Sequence, residues 1–149
     1  MNQPLKSALY DFPLLAGIED VAYGLLASGI RESELPAGHV IIREGDAGKN
    51  LFLLRQGRVR IYRTSGAGEV DLMTLSAPSF FGEMSILEEM PRSASVQAAT
   101  PVSLLILPRL YFEMLAEQLP VQYARVVTNV ARDLSARLRL LGDEFARRH

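Results

Sequence analysis

The chain has 149 residues, enough for one ordinary domain, and its 16 basic and 17 acidic side chains give a formal net charge of −1. This balance argues against a general electrostatic grip on nucleic acid or on an anionic membrane. The absence of cysteine excludes disulfides and thiolate chemistry, and the two histidines leave few metal-binding or general-base schemes. No apolar run approaches the roughly 18 residues of a membrane span, and the N-terminus lacks the layout of a secretory signal. We therefore expect a soluble, cytoplasmic protein that is not an enzyme and holds no metal or cofactor.

The first part of the chain, residues 1–37, is predicted to be helical. Its apolar residues recur at spacings of three and four, as on one face of a helix; they are Val21, Leu25, Leu26 and Ile30. The acidic pair Glu19 and Asp20 suits the positive end of that helix. A polar segment over residues 31–35 and a turn over residues 36–38 then end the helical part.

Residues 38–107 have a different pattern, in which short apolar runs alternate with glycine-bearing turns. The predicted strands cover residues 40–42, 51–54, 59–62, 70–75 and 102–107. A tight hairpin turn is predicted over residues 65–68, which read Ser-Gly-Ala-Gly. Many short strands at even spacing predict a mainly β fold that is closed or rolled, with helices on either side.

Helical patterning returns over residues 108–149. Pro108 and Pro120 are typical of first helical turns, and they predict a short helix over residues 109–119 and a long one over residues 121–145. The long helix carries an apolar stripe made of Tyr123, Val127, Val130, Leu134, Leu138, Leu141 and Phe145. The stripe fits packing against the chain's own β-roll or the seam of a two-helix dimer, and the two can apply to different parts of the helix.

One stretch, residues 80–96, interrupts the β pattern with a strand end, a glycine, a short helical turn and an arginine loop. Gly82 lets a ligand approach the backbone, and Arg92 offers a forked, permanently charged donor that suits a phosphate. Ser93 and the backbone of Ala94 can add neutral donors. Glu83 would repel a phosphate, so a sugar hydroxyl is its natural partner. The pattern therefore indicates a ribose phosphate site, although a surface ion pair between Glu83 and Arg92 would explain the same spacing.

The same stretch resembles the phosphate-binding cassette of the cyclic nucleotide-binding domain family. The family pattern is met by Phe-Gly-Glu at residues 81–83 and by Pro-Arg-Ser-Ala-Ser-Val at residues 91–96. The earlier glycines Gly38, Gly45 and Gly57 fall where that family makes its first β-roll turns. The family includes bacterial catabolite activator proteins, regulatory subunits of cAMP-dependent kinase and cyclic-nucleotide-gated channels. The resemblance implies a jelly-roll-like β-roll with flanking helices.

The resemblance also implies roles for residues of the cassette. Arg92 would pair with the cyclic phosphate, to which Gly82 and Ala94 would donate backbone N–H groups. Glu83 would accept a hydrogen bond from the ribose 2′-hydroxyl. Ser93 would place its hydroxyl near the phosphate and the purine.

Further site residues follow from the same resemblance. Met84 belongs to the predicted ligand-binding set within the cassette. Ile61 and Leu72 align with strand positions that pack against the base. Arg137 and Leu138 fall near the positions of the last helix that contact the base, and Arg137 could stack on a purine or donate to guanine.

The resemblance leads to a functional expectation for one domain over residues 1–149. It divides into an N-terminal helical segment (1–37), a β-roll (38–107) that holds the cassette (80–96), and C-terminal lid or dimer helices (108–149). The ligand would be cAMP in preference to cGMP; Ser93 is compatible with both, and a cyclic dinucleotide stays open.

Movement of the last helix would signal to a protein effector or change a homodimer, without nucleic acid or membrane binding. Because the chain ends at His149, we expect a stand-alone sensor without a DNA-binding domain. The alternative is a ligand-independent dimerisation or scaffold module with the same fold.

Overall fold

The computed structural model describes residues 3–83 and 90–149, and the chain runs from helices into a β-roll and back to helices. The helices are α1 (Gln3–Leu9), a 3-10 helix (Pro13–Leu15), α2 (Asp20–Ala27), α3 (Arg109–Gln118) and α4 (Pro120–Arg148). The strands are β1 (Arg31–Leu35), β2 (Val40–Ile42), β3 (Asn50–Gln56), β4 (Arg58–Ser65), β5 (Gly68–Ser76), β6 (Ser79–Phe81), β7 (Ser95–Ala98) and β8 (Val102–Pro108). The helical turn predicted after Gly82 falls outside the described residues.

These strands form two four-stranded sheets in which every pair is antiparallel. The first sheet has the order β1-β8-β3-β6 and the second β2-β7-β4-β5. All five predicted strands are present, and the predicted hairpin turn joins β4 to β5, where Ser65 pairs with Gly68. The mainly β roll with flanking helices is therefore confirmed.

Strand β1 corrects the expectation that residues 31–35 are only a polar connection. This segment is paired along its whole length with β8, from Arg31 opposite Ile106 to Leu35 opposite Val102. Its side chains are mostly exposed because β1 is an edge strand, so the apolar alternation that marks a strand is weak there. Strand β7, which follows the arginine loop, was also absent from the predicted set.

Strand β3 divides the core into two parts because its side chains alternate between two apolar clusters. Leu51 and Leu53 pack with the helices, whereas Phe52 and Leu54 face the interior between the two sheets. Strand β6 repeats this division with Phe80 on the helical side and Phe81 inside the roll. The end of β6 therefore lies where the β-roll and the helical layer meet.

The long helix α4 has two halves with different surroundings. Near its start, Val126 and Val130 are buried against the other helices, and Gln122 accepts a hydrogen bond from the Glu19 backbone N–H at 2.6 Å. Further along, Leu138 and Phe145 are 70% and 64% exposed. The predicted stripe thus packs on the chain's own core in its first half only. No helix among the described residues combines the length and apolarity that a membrane span requires.

Candidate functional site

A small cavity of about 80 Å³ lies where the end of β6, the segment before β7 and the side of α4 converge. Its walls come from both sheets and from α4, so it exists only in the folded chain. The lining residues are Ile42, Ile61, Phe81, Gly82, Glu83, Arg92, Ser93, Ala94, Val96 and Arg137. The cavity therefore has an apolar wall inside the roll, two arginines and one carboxylate.

Gly82 directly follows β6 and has a backbone conformation that only glycine adopts readily. Its φ is +81°, in the left-handed region, where a side chain would be strained. A Cβ atom there would also lie 2.9 Å from Nη1 of Arg92 and 3.0 Å from the carbonyl oxygen of Asn50. Both the turn and the close approach of the arginine thus need glycine at this position.

Arg92 extends its guanidinium from the segment before β7 to the end of β6. Its Nη1 donates to the carbonyl oxygen of Gly82 and its Nη2 to that of Asn50, each at 3.1 Å. Burial lowers the pKa of the Arg92 guanidinium, and the nearby Glu83 carboxylate opposes this shift. The cation also lies 6.0 Å from the centre of the Phe52 ring. A partly desolvated positive charge whose hydrogen bonds within the described residues go to neutral carbonyls is favourably placed to receive an anion.

Arg137 closes the cavity from the side of α4. Its Nη2 donates to the carbonyl oxygen of Phe80 at 2.6 Å, and its guanidinium lies 4.4 Å from the Phe80 ring centre. The same side chain forms ion pairs with Asp133, at 2.6 Å within α4, and with Glu83, at 3.8 Å. Arg137 and Glu83 are each only 13% exposed. The predicted ribose and base residues are thus in contact with each other across the cavity.

The remaining site residues predicted from the sequence are only partly brought together. Ser93 and Ala94 line the cavity beside Arg92, and Ile61 lines its apolar wall. Leu72 and Leu138 are 39% and 70% exposed, and neither lines the cavity. Met84 lies outside the described residues, so the structure says nothing about its side chain.

Several residues at the cavity were not predicted from the sequence. Ile42 and Val96 contribute to the apolar wall, and Asn50 accepts a hydrogen bond from Arg92 through its backbone. A backbone carbonyl has no side-chain signature, so the role of Asn50 was not visible in the sequence. The turn before Asn50, with its two glycines, was the signal available for a close backbone approach.

Comparison with known proteins shows that the sequence and the fold of this chain match those of a described family. The family model described as "Cyclic nucleotide-binding domain" matches residues 32–119. The chain is 37% identical over 128 residues to the cyclic AMP receptor protein of Thermus thermophilus, which covers 85% of this chain and 57% of the relative. It is also 37% identical over 108 residues to a cyclic nucleotide-gated potassium channel of Rhizobium etli, covering 72% of this chain and 29% of the channel.

A solved structure has the same architecture over nearly the whole chain. This is a cyclic nucleotide-binding domain from Methylobacillus flagellatus, with a TM-score of 0.84 and 24% identity, covering 97% of this chain and 85% of the other. At that identity the likeness concerns the fold. The chain spans about three-tenths to six-tenths of the length of the two curated relatives described above.

Proposed function

Because the chain belongs to the cyclic nucleotide-binding domain family, we propose that it binds a cyclic mononucleotide, cAMP in preference to cGMP, in the cavity between the β-roll and α4. The Thermus thermophilus relative is named as a cyclic AMP receptor protein, which supports this choice of ligand. The protein reports the nucleotide through α4 to a protein effector or to a second copy of itself. It acts by binding and not by catalysis.

The observation that carries the proposal is the environment of Arg92. Its guanidinium is partly desolvated, and in the described part of the chain its hydrogen bonds go to two neutral carbonyl oxygens. A phosphate supplies a negative charge in a geometry that matches the arginine fork. Gly82, Ser93 and Ala94 line the same cavity. In this proposal the backbone N–H groups of Gly82 and Ala94 and the hydroxyl of Ser93 donate to the phosphate.

Glu83 and the apolar wall are suited to the ribose and the base of a nucleotide. An ionised carboxylate only accepts hydrogen bonds, so Glu83 is suited to the ribose 2′-hydroxyl. Ile61, Ile42 and Val96 offer an apolar surface to the base. Arg137 lines the same cavity and can cover the base once it leaves its present partners.

The size of the cavity links binding to movement of α4. Sites for small molecules usually enclose about 300–1,000 Å³, and this cavity holds about 80 Å³. In this proposal, room for the nucleotide is made when the Arg137 side chain leaves the carbonyl of Phe80 and the carboxylate of Glu83. The ligand shifts α4 only as far as its affinity differs between the two helix positions.

The exposed half of α4 supports signalling through association. Leu138, Leu141 and Phe145 lie three and four residues apart, on one face of the helix, and all are exposed. A second copy of the chain that buries this face would form a homodimer whose seam responds to movement of α4. The same face supports the second candidate function, a dimerisation module that needs no ligand.

The test is a parallel calorimetric titration with cAMP, cGMP and a cyclic dinucleotide. We expect cAMP to bind most tightly, and Arg92→Ala to weaken it by about 1.5–3 kcal/mol, the range for hydrogen bonds to charged groups. Arg139→Ala is the control, because Arg139 lies exposed on α4, where it donates to Ser135. Glu83→Ala should weaken cAMP more than 2′-deoxy-cAMP, since the latter lacks the hydroxyl. Equal affinity of wild type and Arg92→Ala for cAMP would refute the assignment.

A thermal-shift experiment separates the two candidate functions. A binding domain gains RT ln(1 + [L]/Kd) of stability from its ligand, and a scaffold gains none. Sedimentation at several protein concentrations, with and without cAMP, then measures whether the nucleotide changes the association state. A constant dimer whose melting temperature no nucleotide raises would favour the scaffold.

A further inference from the structure

The turn between β2 and β3, residues 43–49, wraps around the backbone of Arg92. The N–H of Gly45 donates to the carbonyl oxygen of Arg92, and the N–H of Arg92 donates to the carbonyl oxygen of Asp46, each at 2.8 Å. These two bonds attach the arginine loop to a turn that is distant in sequence. They fix where the Arg92 side chain begins, but not the direction that it takes.

Gly48 lies beside the Arg92 guanidinium, where a side chain would change the direction of the arginine. A Cβ atom at this position would lie 2.6 Å from Nη2 of Arg92, and nearer still to its Nε and Cζ atoms. Real Cβ atoms do not make such contacts, so the guanidinium crosses the space that any other residue at position 48 would fill. Gly48 does not have a positive φ, and its backbone conformation is open to other residues. The requirement for glycine therefore comes from Arg92 and not from the turn.

We propose that Gly48 is a positioning residue for anion binding. The absence of a side chain there lets the Arg92 guanidinium lie across the turn and reach the carbonyl oxygens of Gly82 and Asn50 at the cavity. A larger residue at position 48 turns the guanidinium away from the phosphate position and leaves the wall for the base intact. The inference rests on the proposed function, since it assigns to Gly48 the placement of the phosphate-binding group.

A double-mutant cycle with cAMP as the probe tests the coupling. We expect Gly48→Ala to weaken cAMP binding about tenfold or more, because the complex then loses at least one charge-assisted hydrogen bond between Arg92 and the phosphate. The same substitution in an Arg92→Ala background should change affinity less than about twofold. Gly66→Ala is the matched control: Gly66 also lacks a positive φ, and a Cβ there meets nothing within 4 Å. An equal loss with and without the arginine, or no loss, would overturn the inference.

A ligand-free measurement keeps this test independent of the proposed function. The Nε–H resonance of Arg92, assigned by its loss in Arg92→Lys, should move in Gly48→Ala and stay in place in Gly66→Ala. An unmoved resonance overturns the positioning role even if cAMP binds. Absence of nucleotide binding by the wild type refutes the proposed function alone. If Gly48→Ala lowers the melting temperature, the same substitution should lower it less in an Arg92→Ala background, because the overlap with the guanidinium is then absent; an equal decrease in both backgrounds contradicts the inference.

Discussion

Replacing Arg137 by methionine should detach the second half of α4 from the β-roll. Arg137 connects the helix to the end of β6, because it contacts the carbonyl oxygen and ring of Phe80 and the carboxylate of Glu83. Methionine keeps an unbranched side chain and a good helix propensity, so the helix itself should persist. The change removes the charge and the donors while keeping much of the apolar stem.

The cost can be worked out from these contacts. A hydrogen bond to a charged group contributes about 1.5–3 kcal/mol, and removing one partner of a buried ion pair costs about 3–5 kcal/mol. Arg137 and Glu83 are each 13% exposed, but the pair is long at 3.8 Å and the Asp133 partner is 41% exposed. We therefore expect a loss of about 2–3 kcal/mol. For a chain of this length each kcal/mol lowers Tm by roughly 2–4 °C, so Tm should fall by about 4–12 °C.

The assay is unfolding by urea and by heat without ligand, monitored by circular dichroism at several protein concentrations. Arg139→Met is the control, since Arg139 lies two residues further along α4 and donates to Ser135 of the same helix. Hydrogen exchange should become faster in the second half of α4 and at β6 for Arg137→Met only. If the two variants unfold within about 0.5 kcal/mol of each other, Arg137 does not fasten α4 and the reasoning is wrong.

Three further predictions concern the fold that supports the site. Gly57→Ala should destabilise the protein in urea unfolding by about 1–3 kcal/mol, because Gly57 has a φ of +91° and a Cβ there would lie 2.7 Å from Thr100 Oγ1; a stability equal to that of wild type would contradict this. Val126→Ala should cost about 1–3 kcal/mol in the same assay, since the side chain is fully buried, whereas Val121→Ala, at a position 76% exposed, should cost much less. Arg60→Met should cost less than about 1 kcal/mol, and the loss should shrink in high salt, because the two carboxylates that Arg60 pairs with are more than half exposed; a loss independent of salt would contradict the screening argument.

The elements with strong local signals could be predicted from the sequence. Strands β3 and β8 are rich in buried leucine, and the glycine pair between β4 and β5 marks a hairpin, so short-range patterns were sufficient. Strand β1 could not be predicted in this way. It is a strand because it pairs with β8 far along the chain, and its own side chains are mostly exposed.

The residues predicted to contact the base lie at different positions relative to the cavity. Successive residues of an α-helix point about 100° apart, so Arg137 and Leu138 cannot both face the cavity. The carbonyl of Phe80 and the carboxylate of Glu83 lie on the side of Arg137, which leaves Leu138 exposed. Leu72 lies in a β-bulge, where the register between β4 and β5 shifts. A bulge re-aims the side chains around it.

By itself the sequence determined the class of fold and the family, and it predicts an anion-binding segment around Arg92, since each depends on residue types within a few positions of one another. Only the tertiary structure decided the rest of the site. The carbonyl of Asn50 lies 42 positions from Arg92 in the chain, and the contact between Arg137 and Phe80 spans 57 positions. Such contacts depend on strand register and on the packing of α4. Both are stabilised by apolar contacts throughout the core and not by neighbouring residues in the sequence. For that reason the closed cavity and the direction of its arginines are properties of the folded protein.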